Sequence, residues 1–411
     1  MKPVYLDHNS TTPVAPEVLE AMLPYFSREA GNASSIHSPG QRARAGVERA
    51  RAAVAALIGA RTSEIVFTSG GTEADNLAVF GIPEIFEGLP AHVITTKIEH
   101  HAVLNACQAL ERKGVEVTYV PVNSQGVVDP DDIRRAIRPR GAPRTTCQGI
   151  EDPAEILRKA RLGTALITVM HANNELGTVQ PVADIGKIAA EADVYFHTDA
   201  VQSAGKLPIK VDEIGADLLS ISAHKLRGPK GVGALYVRKG TRLRPLFYGG
   251  HHERDRRPGT ENVPGIVGLG RAAELAAANL AADAARMAAL RDRFERELIA
   301  RVPHARVNGA NAPRTPNTSN IVFPFVEGEA LVIALDLKGI ACSTGAACSA
   351  GAVEPSHVLT AIGLSADEAR ASLRFSLGHD TTDEEIDYAI SVIPGAVEHL
   401  RELSPMYQRA Q

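Results

Sequence analysis

Three short runs of this sequence carry side chains whose types and spacing could do chemistry. The first is Ser220-Ile-Ser-Ala-His-Lys-Leu-Arg-Gly-Pro-Lys-Gly-Val-Gly, where Lys225 follows an apolar stretch and precedes Gly228, Pro229, Gly231 and Gly233. A lysine in an apolar or cationic setting loses its proton easily and can form a Schiff base with a carbonyl. A lone lysine is more often a solvated loop residue, so the neighbours must decide. The second run is His197-Thr-Asp-Ala-Val-Gln-Ser. Asp199 ends a buried strand, an expensive place for a carboxylate without a positive partner. A protonated pyridine nitrogen would be such a partner; the plain alternative is an Asp that caps the following turn. The third run is Phe67-Thr-Ser-Gly-Gly-Thr-Glu-Ala, with two glycines and a Thr between strand and helix. A helix start supplies free N–H groups and a positive dipole end, which suits a phosphate. The same residues also read as an ordinary capped helix start.

Phosphate cup, Asp and Lys, in that order, describe a site for pyridoxal 5'-phosphate, whose ring nitrogen pairs with an acid and whose carbonyl takes a lysine. The elements that must position these groups are visible in the pattern. Ile65–Phe67, His92–Thr95, Val115–Val120, Ala165–Val169, Val194–His197, Leu218–Ile221 and Gly233–Val237 read as buried strands, with helical segments at 73–87, 101–113, 130–138 and 182–192. Alternation of this kind argues for an α/β fold with a mostly parallel seven-stranded sheet. Ligands of such sheets bind beyond the carboxyl ends of the strands, and the polar clusters follow Phe67, Thr95, Met170 and His197. Residues 266–300 read as a long connecting helix. A smaller α+β unit follows, with strands near Ser319–Phe323 and Leu373–Leu377 and helices near Glu329–Leu337 and Asp383–Leu403.

Composition narrows the field. The chain has 411 residues and a formal net charge of -4, from 44 basic and 48 acidic residues. No basic excess marks a nucleic-acid binder. Aromatic residues are 4% with no Trp, too few for stacking platforms. The Ala-rich stretch 271–290 carries Arg271, Glu274, Asp283 and Arg286, too many charges for a lipid-facing helix. Met1 to Asn9 holds no apolar core of signal-peptide length. Cys107, Cys147, Cys342 and Cys348 form no CxxC pair, so no intrinsic metal site and no disulfide framework is expected. A cytoplasmic, reducing location follows as the expectation.

The motifs, taken jointly, resemble a known family. Tyr5-Leu-Asp-His-Asn-Ser-Thr-Thr-Pro, Gly31-Asn, Glu99-His-His-Ala-Val, His171-Ala-Asn-Asn-Glu-Leu-Gly, Ser222-Ala-His-Lys, Arg257-Pro-Gly-Thr, Glu354-Pro-Ser-His-Val-Leu and Arg374-Phe-Ser-Leu-Gly span nearly the whole chain. They are similar to the class V branch of fold-type I pyridoxal-phosphate enzymes, and within it to the cysteine desulfurases of the NifS/IscS type. The resemblance implies that Lys225 holds the cofactor and moves protons at the substrate Cα. It implies that Asp199 pairs with the ring nitrogen and that His100 stacks on the ring and shuttles protons. Gly71, Thr72, Ser222 and His224 would hold the phosphate, Ala223 would also bind the cofactor, and Gln202 and Asn174 would contact the oxygen side of the ring. Thr260 would reach the phosphate of a second subunit, which implies a homodimer. Arg374, with Asn32 and Asn174, would bind the substrate carboxylate, a group that a planar guanidinium fork suits. Read from its strand alone, Arg374 is an ion-pair residue.

Cys348, in Ser343-Thr-Gly-Ala-Ala-Cys-Ser-Ala-Gly, corresponds to the family's persulfide cysteine. Small neighbours leave it free to travel, and a thiolate is the nucleophile. The resemblance implies the group with a long mobile Cys loop, here about 342–355. Cys348 could then contribute to a transient iron–sulfur cluster with a scaffold partner. Cys342 follows an apolar Ile-Ala pair and is expected to be fixed. The implied division is 16–264 as the large domain and 1–15 with 265–411 as the small one. The implied activity converts L-cysteine to L-alanine and hands sulfur to an acceptor protein for iron–sulfur assembly or tRNA thiolation. Selenocysteine lyase, or a docking module that keeps the cofactor for folding, are the alternatives. The chain departs from the family at Ala33, where Pro is frequent, at Asp255, where Gly is frequent, and in an extra segment from about 140 to 162 that holds Cys147.

Overall fold

The computed structural model describes residues 3–86, 91–138, 163–344, 355–404 and 407. Among the described residues twelve strands run in chain order: β1 (Val4–Tyr5), β2 (Ile65–Thr68), β3 (His92–Thr96), β4 (Glu116–Val120), β5 (Thr164–Thr168), β6 (Tyr195–Asp199), β7 (Leu218–Ser222), β8 (Gly233–Val237), β9 (Arg306–Val307), β10 (Thr318–Val322), β11 (Ile340–Ala341) and β12 (Ser372–Ser376). The central sheet has seven strands in the order β2-β8-β7-β6-β5-β3-β4. It is parallel except for β8, which is antiparallel to both its neighbours.

The strands read as continuous apolar runs because helices cover both faces. Successive side chains point to opposite sides, and the cores record it. Ile65, Phe67, Leu219 and Tyr236 enter one cluster; Val66, Leu218, Leu235 and Val237 enter the other. The seven expected strands all form, each within two residues of the expected ends. Helices His101–Arg112, Pro130–Ala136 and Val182–Glu191 form where the pattern put them, whereas the helix expected at 73–87 runs Gly71–Gly81 and gives way to a 3-10 turn Pro83–Phe86.

A further helix, Ser38–Ile58, was not marked by the sequence pattern. Its buried face is mostly small, with Gly40, Ala43, Gly46, Ala50 and Ala55, so apolar periodicity is faint. Small residues serve a close crossing: a Cβ at Gly270 would lie 2.4 Å from the Ala50 Cα. Gly270 belongs to the long helix Val263–Arg301, 39 residues capped by Asn262, whose side chain accepts from the Gly265 N–H. Its first turns place Val263, Ile266 and Leu269 in the core beneath the large sheet. Its last turns place Leu290, Phe294 and Leu298 in a second core.

That second core lies on the antiparallel sheet β12-β10-β9, under helices Gly328–Asp336 and Asp383–Glu402. Phe294 and Phe375 meet edge to face at 5.1 Å, and each buried Phe contributes about 1.5–3 kcal/mol. The first strand joins this unit: β1 pairs in parallel with β11, and Val4 and Leu6 are buried in its core. The extra segment 140–162 and the Cys loop from 345 to 354 lie outside the described residues. No helix among the described residues is long and apolar enough to cross a membrane.

Candidate active site at the carboxyl ends of the sheet

The carboxyl ends of β2, β3, β5, β6 and β7 converge on one cavity of about 340 Å³. After β2 the chain turns at Gly70, with φ 157° and ψ −178°, a conformation open essentially to glycine. Gly233, at the amino end of β8, makes this turn possible. A Cβ there would fall 2.7–2.8 Å from the Gly70 backbone. The helix that follows, Gly71–Gly81, has no side-chain cap, so its first N–H groups are open to an anion at the positive end of the dipole. Glu73 does not fill this role. Its carboxylate takes the Ser69 N–H at 2.8 Å and pairs with Arg257 at 2.9 Å, and those hydrogen bonds hold its pKa below the usual carboxylate value despite desolvation.

Two buried acids line the floor. Asp199, the last residue of β6, accepts the Val201 N–H at 2.8 Å and forms no ion pair among the described residues. Burial pushes its pKa up to about 6; the Val201 N–H and the Lys225 charge act the other way. Asp75 lies one turn into the Gly71–Gly81 helix and is 2% exposed. Burial and the neighbouring Asp199 push it well above the usual carboxylate range, and its Oδ1 has no hydrogen-bond partner. Two adjacent carboxyls do not both ionise. Of the two, Asp199 has the N–H and the nearby lysine, which favour its charged form. His197 lies beneath them, its ring nitrogens against Thr168 Oγ1 at 2.8 Å and Ser220 Oγ at 3.0 Å. Burial holds it neutral, with a pKa of about 3.

Lys225 follows β7 in a short 3-10 turn. Its Nζ donates to the carbonyls of Asn9 and of Ser10, the latter at 2.7 Å. Asn9 is a hub. Its carbonyl also accepts the Gln202 Nε2 at 2.9 Å, and its side-chain Nδ2 donates to Thr318 Oγ1 at 2.8 Å and the Asn174 carbonyl at 3.1 Å. Lys206, 7% exposed, donates to Gln202 Oε1 at 3.0 Å and Asn9 Oδ1 at 3.3 Å. Arg374, on β12, is 3% exposed. It pairs with Asp7 at 2.7 Å and donates to Ser10 Oγ at 2.7 Å and the Asn174 carbonyl at 3.1 Å. Among the described residues its Nε has no hydrogen-bond partner. The ion-pair reading and the cavity reading of Arg374 are therefore both true.

His100 caps helix His101–Arg112, its Nδ1 accepting the Ala102 N–H at 3.1 Å. Burial, then the charge of Lys225, pushes its pKa down to about 4. The ring is neutral at physiological pH with its proton on Nε2, as that hydrogen bond requires.

Gly71, Thr72, His100, Asn174, Asp199, Gln202, Ser222, His224, Lys225 and Arg374 all line the cavity. Ala223, Asn32 and Thr260 do not. Ala223 is wholly buried and packs against Gly228. Asn32 is exposed and closes its own turn onto the Ser34 N–H at 2.8 Å. Thr260 is exposed. Cys348 and Cys147 lie outside the described residues. Cys342 directly follows β11 and packs on the second core, where burial pushes its thiol up to about 12. Cys107 is held the same way.

Asn9, Ser10, Asp75, Met170 and Val201 also line the cavity and were not singled out from sequence. Asp75 had a signal, one helical turn after Gly71 on the same face. Asn9 and Ser10 act through backbone carbonyls, which residue type does not reveal. Asp255 has φ +62°, between Arg254 at +56° and Arg256, which explains why glycine would be at ease there.

The residues present fit a pyridoxal phosphate. Asp199, with no ion pair among the described residues, suits a protonated ring nitrogen, the uncapped helix N–H groups suit a phosphate, and Lys225 lines the same cavity. A Cβ at Gly71 would strike Val201 Cγ2 at 2.8 Å, so the cradle needs that glycine.

Comparison with known proteins agrees with this geometry. A family model described as aminotransferase class-V matches residues 4–143 and 142–389. The chain is 48% identical over 405 residues to "Cysteine desulfurase IscS" of Dictyoglomus turgidum, covering 98% of this chain and 97% of that one. It is 49% identical over 409 residues to the protein of the same name from Anaeromyxobacter dehalogenans, covering 99% and 95%. A solved "NIFS-LIKE PROTEIN" superposes with a TM-score of 0.84 at 37% identity, covering 97% of this chain and all of that one.

Proposed function

Because the chain belongs to the aminotransferase class-V family of pyridoxal-phosphate enzymes, we propose that it is a cysteine desulfurase, converting L-cysteine to L-alanine and passing the sulfur to its own Cys348. The observation that carries the reading is the meeting of Asp199, Lys225 and the uncapped Gly71 helix start in one cavity with Arg374.

Gly71, Thr72, Ser222 and His224 would hold the phosphate, with Ala223 supporting that turn. Asp199 would hold the ring nitrogen in its protonated form, and His100, Gln202 and Asn174 would line the ring. When bound, the cofactor supplies an electron sink for the bond broken at the substrate Cα. Arg374 would orient the substrate carboxylate with Asn174; its unpartnered Nε is a donor in hand. Asn32 would assist Arg374 in that task. Lys225 accepts the Cα proton and returns a proton to the product. The neutral His100 ring can give or take a proton at Nε2. The Cys348 thiolate attacks the substrate sulfur, so a C–S bond is replaced by an S–S bond and a proton takes the place of sulfur on Cβ.

The rest of the reading follows the family. The chain would act as a homodimer, with Thr260 reaching the neighbouring subunit's phosphate, and would divide into 16–264 and 1–15 with 265–411. Val4 and Leu6 in the core of the second unit support that division. It would work in the cytoplasm and deliver sulfur to an acceptor such as an iron–sulfur scaffold, with Cys348 available to a transient cluster there.

The test is one turnover with L-cysteine followed by peptide mass spectrometry. One alanine per active site and one added sulfur on Cys348 are expected. Added sulfur on Cys342, Cys107 or Cys147, with Cys348 unmodified, overturns the assignment.

A further inference from the structure

Lys225 borders a second cavity that the desulfurase reading does not use. It encloses about 60 Å³ and is lined by His8, Lys206, Lys225, Asn279, Met287 and His379 among others. The lining runs from buried side chains to the surface. His8 and Lys206 are each 7% exposed. At the other end, His379 Nδ1 meets Asp283 Oδ2 at 2.7 Å, and these side chains are 35% and 21% exposed. Arg286 pins that end by donating to the carbonyls of Thr381, Gly378 and His379.

Two groups in the lining lack what burial normally demands. His8 packs edge-on against Tyr5 at 4.8 Å and so tightly under Gly378 that a Cβ there would fall 2.2–2.5 Å from the ring. Yet its Nδ1 has no partner. Burial, then the charge of Lys206, holds the ring neutral, with a pKa of about 4, so this nitrogen can accept a hydrogen bond. Lys206 directs two of its N–H groups to the neutral oxygens of Gln202 and Asn9 and has no carboxylate partner among the described ion pairs. A buried polar group left unpaired is costly, and water is the usual remedy where the space is polar and large enough. The volume suits about two water molecules. Nearby charges are Lys206, Lys225 and Arg227, with the His379–Asp283 pair and Asp380 against Arg227.

We propose that this chamber is a hydrated proton-exchange route between the Lys225 amine and solvent, its water ordered by His8 and Lys206 and its mouth formed by His379 and Asp283. The inference rests on the reading of Lys225 as carrier of the substrate Cα proton. The balance is simple. The amine gains the Cα proton and becomes an ammonium. It passes one of its three N–H protons to the chamber water and takes one back before returning a proton to the product. No heavy-atom bond changes, and no proton is consumed.

The experiment supplies α-deuterated L-cysteine to the holoenzyme in ordinary water and reads the deuterium left at Cα of the alanine. The wild type is expected to lose most of the label. Ala276→Leu, which fills the chamber from the long helix, and His8→Phe, which keeps the ring but removes its nitrogens, should each raise retention several-fold with the cofactor's visible absorbance unchanged. Wild-type washout in either folded variant, or a wild type that already retains its label, overturns the proposal. A crystal structure of the holoenzyme tests it without any variant. Ordered water within hydrogen-bond distance of His8 Nδ1 is expected, and a dry chamber overturns it. Absence of alanine, or turnover by Lys225→Ala, would instead sink the reading of Lys225 and is seen separately.

Discussion

Two of the regions that bury carboxylates treat them differently. Behind β2, Glu253 takes two hydrogen bonds from Arg51 at 2.7 and 2.8 Å and a third from the Phe67 N–H at 3.0 Å. Arg51 also donates to the Ile65 carbonyl at 2.9 Å and lies over the Phe67 ring at 4.7 Å. Both partners are satisfied, and the pair closes a segment in which Glu253, Arg254 and Asp255 all have positive φ. At the end of β6, Asp199 has one N–H and Asp75 has an empty oxygen. The first arrangement is finished by the protein alone. The second lacks such partners among the described residues. A buried charge that is satisfied marks structure; one left short of partners marks a site.

The sharpest break of this contrast removes the site's own amine. Lys225→Ala should lower turnover on the order of 10⁴-fold or more, as expected for a residue that makes and breaks the bonds of the reaction. Alanine formation under single-turnover conditions measures it, and a borohydride-reducible lysine adduct in that variant would show that another lysine does the work. The matched acid-to-amide pair comes next. Asp199→Asn keeps the shape but not the charge and should cost roughly 10²–10⁴-fold in kcat, the range for a lost protonation partner. Glu253→Gln should do the reverse. It takes the buried anion from Arg51, leaving only the exposed Glu48 at 3.3 Å, and destabilises the fold by about 3–5 kcal/mol, with kcat per folded molecule close to wild type. Urea unfolding beside steady-state kinetics tests both. Equal damage to kcat from the two substitutions would erase the distinction drawn above.

A smaller effect concerns pH. His8, His92, His100, His171 and His224 are lowered to about 4, and His197 to about 3, each first by burial. A lowered histidine contributes stability that is present above the unfolded pKa of about 6.5 and is lost as pH falls toward the folded value. Asp199, raised to about 6, and Glu99, raised to about 8, act in the opposite sense, as does Asp75. The histidines outnumber the acids. The cofactor-free protein should therefore take up protons on unfolding and lose at least about 1.4 kcal/mol per pH unit between pH 6.5 and 5. Denaturation midpoints across that range check the slope; a flat or rising profile on acidification refutes it. The smallest effect is expected at Cys342→Ser, which risks about 1–3 kcal/mol from an unsatisfied hydroxyl and leaves sulfur transfer intact.

The strands of the large sheet were legible because β-branched runs buried on both faces leave an unambiguous mark in sequence. Asp199, Lys225 and the Gly70–Gly71 turn were legible because they sit at strand ends, where polar residues stand out against those runs. Ser38–Ile58 was not, since a helix that packs through Ala and Gly has little apolar contrast. Glu253 reads as an ordinary loop acid until the fold brings Arg51 to it. Asn9 was quoted only as part of a motif. Its importance lies in a main-chain oxygen, which no side-chain type announces.

Asn9 also bears on how the protein is made. Its amide donates to the Ser376 hydroxyl at 2.9 Å, across 367 residues of chain, and its carbonyl holds Lys225 across 216. On a ribosome adding about 5–20 residues per second, the interval between the synthesis of Asn9 and of Ser376 is roughly 20–70 s. For that time the segment that will brace the catalytic lysine has no strand to close against. The grip on Lys225 is therefore completed only after β12 has been made. A nascent chain halted before β12 should emerge with its large sheet formed and its lysine unbraced.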